Sequence, residues 1–282
     1  MKKIILLLGI LFVASTAAQA ACDYNCVAPY NLNNKFRTFM GAVGGVNTFV
    51  ENSVEGVLTK EVLKVASADE LKVDLDSRSA RDLKNGIFKS FSLNGKNVLV
   101  NDIHLVSLDL QTLCDFNYIN IVDNDVVFVE DMPMSFDVVM DQDSINKSMT
   151  HPRYQKLISD FNRLSASYGL GFRVNSTKVA IKANKFYFIV SMNIPYVKKE
   201  QKIVFESAIN VKNGKFDLSK TQLVSGNFRL DAKRIDALMN YLNPLEYSVK
   251  FLDKHNAKVN VKEFEVRENV LYANGVVVLP KN

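Results

Sequence analysis

Tryptophan is absent from the 282-residue chain, and histidine and cysteine number only three each. With so few histidines there is little room for acid–base or metal chemistry. His104, His151 and His255 share no metal-ligand spacing, and neither HExxH nor GxSxG occurs. His104 reads as a strand residue among apolar neighbours, His151 as a turn residue before Pro152, and His255 as part of a polar loop. A block of one charge is also missing. The formal net charge is +5, and lysines alternate with acids instead of forming a stripe, which excludes nucleic acid as an expected partner. The densest basic spot, Lys198, Lys199 and Lys202, is interrupted by Glu200.

One apolar run stands apart at the start. Lys2 and Lys3 precede an uncharged stretch, Ile4 to Ala14, and Ala18-Gln19-Ala20 fits a small-x-small cleavage pattern. The run of about 11 residues is short for a membrane span. A lipid anchor on Cys22 is the other alternative, but Gln19-Ala20-Ala21 lacks the leucine-like position of a lipobox. The expectation is a signal peptide over residues 1–20, cleaved near Ala20, and a protein of the periplasm. No later stretch is long and apolar enough for a transmembrane helix. Cleavage leaves 262 residues with a charge of about +3, enough chain for a sizeable core.

An oxidising compartment permits disulfides. Cys22 and Cys26 are candidates for a pair, and either could join Cys114 and staple the N-terminus to the body, with one thiol left over. No cysteine spacing suggests a metal. Asp123-Asn124-Asp125 resembles the opening of a calcium loop, but the glycine and distal glutamate are missing. No catalytic constellation, metal site or cofactor is therefore expected.

Residues 21–34 read as a polar lead-in. From Lys35 to Leu58 apolar residues recur at threes and fours, predicting a helix with a wide apolar face. After Leu58 the period becomes two, and short strands follow in series, which favours antiparallel pairing. Asn94-Gly95 and Asn213-Gly214 are turn signals between strands. Asp141 opens a helix to about Ser165, interrupted or kinked at Pro152, and Asp231 opens another that stops at Asn243-Pro244. The spacing Asp141-x3-Ile145-x3-Met149 returns as Asp231-x3-Ile235-x3-Met239. Either this is ordinary helix grammar or it marks a tandem of two sheet–helix units. The fold class expected is α+β, one domain over 35–282 with a weak division near 166–171.

Such a sheet with a helix against it can close into a solid core or leave a slot for acyl chains. Each methylene withdrawn from water contributes about 0.8 kcal/mol, so a slot could hold a lipid without any catalytic group. Phe36, Phe39, Met40 and Val43 are candidates for one wall and Phe91, Phe186 and Phe188 for the facing wall, with plain core packing as the alternative for each.

Several stretches resemble the exported phospholipid-binding proteins of the LmeA type. Residues 80–86 (ARDLKNG) lead into Ile87–Phe91 as a short helix ending in glycine before paired strands. Asp141–Met149, Asn213–Leu218, Asn243-Pro244-Leu245 and the ending from Leu271 to Pro280 also match the family's look. The resemblance covers about Lys35 to Leu279 and rests on fold motifs, not catalytic ones. It implies an elongated, curved antiparallel sheet wrapped partly around helices, and a hydrophobic cavity for phospholipid. The implied partners are phospholipid or glycolipid and, peripherally, the membrane surface. The cysteines near Ala21 and the lysine- and asparagine-rich composition depart from the family and put a glycolipid substrate in doubt. The competing expectation is a non-catalytic structural or assembly protein of the envelope with a protein partner.

Overall fold

The computed structural model describes Cys26, the helical residues 55–56, 58–60 and 62–63, and residues 66–100, 102–122, 125–169, 171–207, 210–212, 215–217, 222–225, 241–242 and 258–281. Signal region 1–20, Cys22, the candidate wall residues Phe36, Phe39, Met40 and Val43, and the second Asp231–Met239 unit lie outside the described residues.

The order begins with β1 (Ala66–Ser67), β2 (Glu70–Asp76), α1 (Ala80–Lys84), β3 (Ile87–Phe88), β4 (Ser90–Val100) and β5 (Ile103–Thr112). β6 (Asn117–Val122), β7 (Asp125–Phe128), β8 (Met132–Asp141), α2 (Gln142–Met149) and α3 (Pro152–Ser167) follow. The next strands are β9 (Arg173–Lys182), β10 (Lys185–Asn193), β11 (Gln201–Ser207), β12 (Asn210–Lys212), β13 (Lys215–Asp217) and β14 (Gln222–Ser225). β15 (Lys258–Arg267) and β16 (Val270–Leu279) end the described chain.

Every described strand pair is antiparallel, so the class is α+β with open sheets. The larger sheet runs β1-β4-β5-β8-β16-β15, with β2 beside β1 along the same edge of β4. The C-terminal hairpin thus returns to the sheet begun by the first strands. The second sheet, β14-β11-β10-β9, begins just after residues 166–171, where the sequence suggests its weak division. A small sheet, β3-β6-β7, and the β12-β13 hairpin complete the set.

Period-two alternation aims one face of each sheet inward. Leu93, Val100, Leu108, Phe136, Leu271 and Val277 come from the first sheet, and Phe188, Val190 and Phe205 from the second; all belong to one apolar core. In β11 the inward residues are Ile203 and Phe205, while Val204 is half-buried. Residues 58–60 and 62–63 are helical, where a change to strand period was expected after Leu58. Val62, four residues after Leu58, keeps the helical spacing and is buried against the core.

Asn94-Gly95 forms no turn. Both residues lie inside β4, Gly95 pairing with Leu71 on one side and Leu108 on the other. A Cβ on Gly95 would lie 2.6 Å from Val98 Cγ2, so the glycine serves a close approach within the sheet. The β4–β5 turn comes later: Val100 pairs with Ile103, and Asp102 adopts φ 71°. The second turn signal fares better, since Lys212 pairs with Lys215 on either side of residues 213–214.

Helix starts follow the expected chemistry. Ser79 caps α1, its hydroxyl accepting from Asp82 N at 3.1 Å, and Gly86 at φ 76° ends the turn after it. Asp141 caps α2, accepting from Ser144 N at 2.7 Å. Pro152 then occupies the first turn of a separate helix, α3, where it costs no hydrogen bond.

The cysteine pairing is Cys26–Cys114, across 88 residues with a Cα–Cα distance of 5.5 Å. This replaces a Cys22–Cys26 pair and realises the alternative in which the N-terminal segment is fixed to the body. Cys114 lies in the connection between β5 and β6, where its carbonyl accepts from Asn117 Nδ2 at 2.8 Å. Among the described residues no helix is long and apolar enough to cross a membrane.

Candidate functional site

The candidate wall residues that are described are packed side chains. Phe91 in β4 is 7% exposed, and Phe186 and Phe188 in β10 are 2% and 0% exposed. They belong to different sheets of one shared core.

The open feature lies at the edge of the second sheet. β9 is an edge strand, with unpaired backbone groups that need partners. The two helices supply amide side chains in place of a neighbouring strand. From α2, Asn146 accepts from Val179 N at 2.8 Å and donates to Val179 O at 2.9 Å, and Gln142 accepts from Ile181 N at 3.1 Å. From α3, Asn162 accepts from Val174 N at 2.7 Å and donates to Val174 O at 2.8 Å. Tyr154 fixes the start of α3 more deeply: its hydroxyl donates to Leu242 O at 2.7 Å and accepts from Thr177 at 3.2 Å. Burial holds this phenol well above its ordinary pKa.

Between α3 and the start of β9 these bonds leave a groove of about 660 Å³. Half-buried Phe172 and exposed Ala166 give it apolar surface over the packed Ile158 and Val174, Gln155, Ser159, Asn162 and Asn175 make much of the rest polar, and Arg163 and Arg173 stand at its rim. Arg163 holds Asp160 at 3.0 Å, and Asn175 donates to Glu200 at 2.7 Å. The volume falls in the range of small-molecule sites. Sequence reasoning missed this groove, because Asn162, Ser159 and Arg163 look like an ordinary solvated helix face. The readable signal was Gly169 and Gly171, both at positive φ, which turn α3 back along β9.

A second polar cluster joins the β4–β5 turn to the α2–α3 junction. His104 and His151 face each other with their Nε2 atoms 3.1 Å apart. Asp102 holds His151 Nδ1 at 3.2 Å and Arg153 at 3.3 Å. The Asp102 contact fixes a proton on His151 Nδ1, so a neutral His151 presents its Nε2 as acceptor to His104 Nε2–H. Burial first, then His151 and Lys147, hold His104 below its ordinary pKa, against an upward pull from Asp102. The nearby Ser148 hydroxyl accepts from His104 N and donates to Ser144 O, both at 2.8 Å, so it is committed and no nucleophile. A proton can pass between the rings, but the place a substrate would take beside His151 is filled by His104. Among the described residues no group of three His, Cys, Asp or Glu could hold a metal ion. These contacts link the helix junction to the first sheet.

No protein-family model, curated protein or solved structure matches the chain.

Proposed function

We propose that the protein binds a phospholipid or a related envelope lipid outside the cytoplasm, without catalysing a reaction. The observation that carries this reading is the groove between α3 and β9, with Phe172 and Ala166 accessible in it and two guanidinium groups at its rim. An acyl chain laid on Phe172 and Ala166 leaves water, and Arg163 or Arg173 can meet a phosphate with paired N–H donors. In this reading the two sheets and the helices between them form a lipid cradle, in keeping with the resemblance to LmeA-type proteins. The export signal and the Cys26–Cys114 bond fit a periplasmic setting.

Native mass spectrometry of the exported chain tests the reading. The wild type is expected to carry close to one lipid per chain. Ser159→Trp, which fills the groove from an exposed helix position, is expected to lose it while keeping its thermal midpoint. A wild-type chain that stays lipid-free after incubation with phospholipid vesicles contradicts the reading.

A further inference from the structure

Seven large apolar side chains are exposed among the described residues, and four of them gather at one end of the molecule. Leu164 and Tyr168 stand one turn apart at the end of α3, 41% and 77% exposed. Tyr196 and Val197 occupy the β10–β11 connection, 105% and 37% exposed. The two segments abut: a Cβ on Gly171 would lie 2.7 Å from Pro195 Cγ. Tyr196 is held at φ 66°, a left-handed conformation that an aromatic residue seldom adopts, in a turn closed by Val197 N donating to Ile194 O at 3.1 Å. The most exposed aromatic ring described is thus presented on a fixed turn.

The charge around these residues is mostly positive. Arg163, Arg173, Lys198, Lys199 and Lys202 oppose only Asp160 and Glu200 within segments 160–175 and 193–202. Asp160 is paired with Arg163, and Glu200 accepts from Asn175. The basic run that looks broken in the sequence becomes one cationic rim once β9 and β11 bring Arg173 and Lys202 to the same end. Tyrosines amid lysines and arginines match the headgroup layer of a bilayer, where rings sit at the boundary and cations meet phosphate.

We propose that this end of the molecule docks on an anionic phospholipid surface. Tyr168, Tyr196, Leu164 and Val197 enter the headgroup boundary, and Arg173, Lys198 and Lys199 face the phosphates. The proposal rests on the lipid-binding reading in one respect: docking sets Arg163, Phe172 and Arg173, which also line the groove, against the source of its lipid. A protein partner would not require anionic lipid, and that requirement separates the two.

Flotation of the exported chain with vesicles of phosphatidylglycerol and phosphatidylcholine provides the test, with pure phosphatidylcholine as comparison. Binding is expected only with the anionic vesicles, and to fall at least tenfold between about 50 mM and about 500 mM salt as charge is screened. Lys198→Glu with Lys199→Glu is expected to weaken it by more than roughly 25-fold, since each basic residue near such a surface contributes roughly fivefold. Tyr196→Ser is expected to weaken it further, with the thermal midpoint unchanged. Equal binding to both vesicle types, or no effect of the charge reversals, overturns the proposal. Ser159→Trp separates the two readings. It should abolish bound lipid in the mass spectrum and leave flotation intact. A chain that carries lipid but never floats overturns docking alone, and one that floats but never carries lipid overturns the groove reading alone.

Discussion

At the scale of single residues, the two histidines that the sequence assigned to a strand and a turn meet across 47 positions. Burial of His104, with His151 beside it, makes stability depend on pH. The folded pKa of His104 lies below its ordinary value, so the unfolded chain takes up this proton first as pH falls. The stability contributed by neutral His104 is present above the unfolded value and is lost as pH falls through the folded one. Thermal midpoints measured from about pH 7.5 to about pH 5 should therefore drop less steeply in His104→Gln than in the wild type, by a few degrees at the acid end. Equal slopes would mean that the pair carries no proton-linked strain. Neither histidine advertises this in sequence, because the Asp102 turn that orients His151 comes at the end of β4 and not at the Asn94-Gly95 signal.

At the scale of elements, the amphipathic strands and capped helices were legible because each follows a local rule. Ser79 and Asp141 cap, Pro152 starts a helix, and Phe186, Phe188 and Val190 alternate inward. Non-local pairing was not legible. Nothing in Asn146 or Asn162 marks it as the hydrogen-bond partner of a strand edge. Replacing Asn146 by Ala removes two bonds to Val179 and should cost about 1–3 kcal/mol, seen as a lower urea midpoint with an unchanged slope. An unchanged midpoint would show that water satisfies the β9 edge as well as the amide does. The outward face of the first sheet shows another long-range effect. Asp109 and Asp137 sit directly opposite in neighbouring strands, and burial, then Asp109 and Glu263, hold Asp137 above its ordinary pKa. Only the register reveals that pair.

At the scale of the whole molecule, the α+β class followed from the pattern of periods, but the return of β15 and β16 to the first sheet did not. The groove was hidden for the same reason: α3 and the segment from Gly171 into β9 share its lining, and each alone looks like a surface. One long-range tie, Cys26–Cys114, spans 88 residues. Its removal by Cys114→Ser should cost about 2–5 kcal/mol in a denaturant titration, and peptide mapping without reductant should find Cys26 joined to Cys114 and not to Cys22. A Cys22–Cys26 peptide would contradict the pairing. We propose a lipid in the groove between α3 and β9. The most direct test is labelling with a phospholipid that carries a photoactivatable group on its acyl chain, followed by peptide sequencing. Label is expected on Ala166 or Phe172, displaced by unlabelled lipid and lost in Ser159→Trp. Label confined to other segments, or none above background, would contradict it.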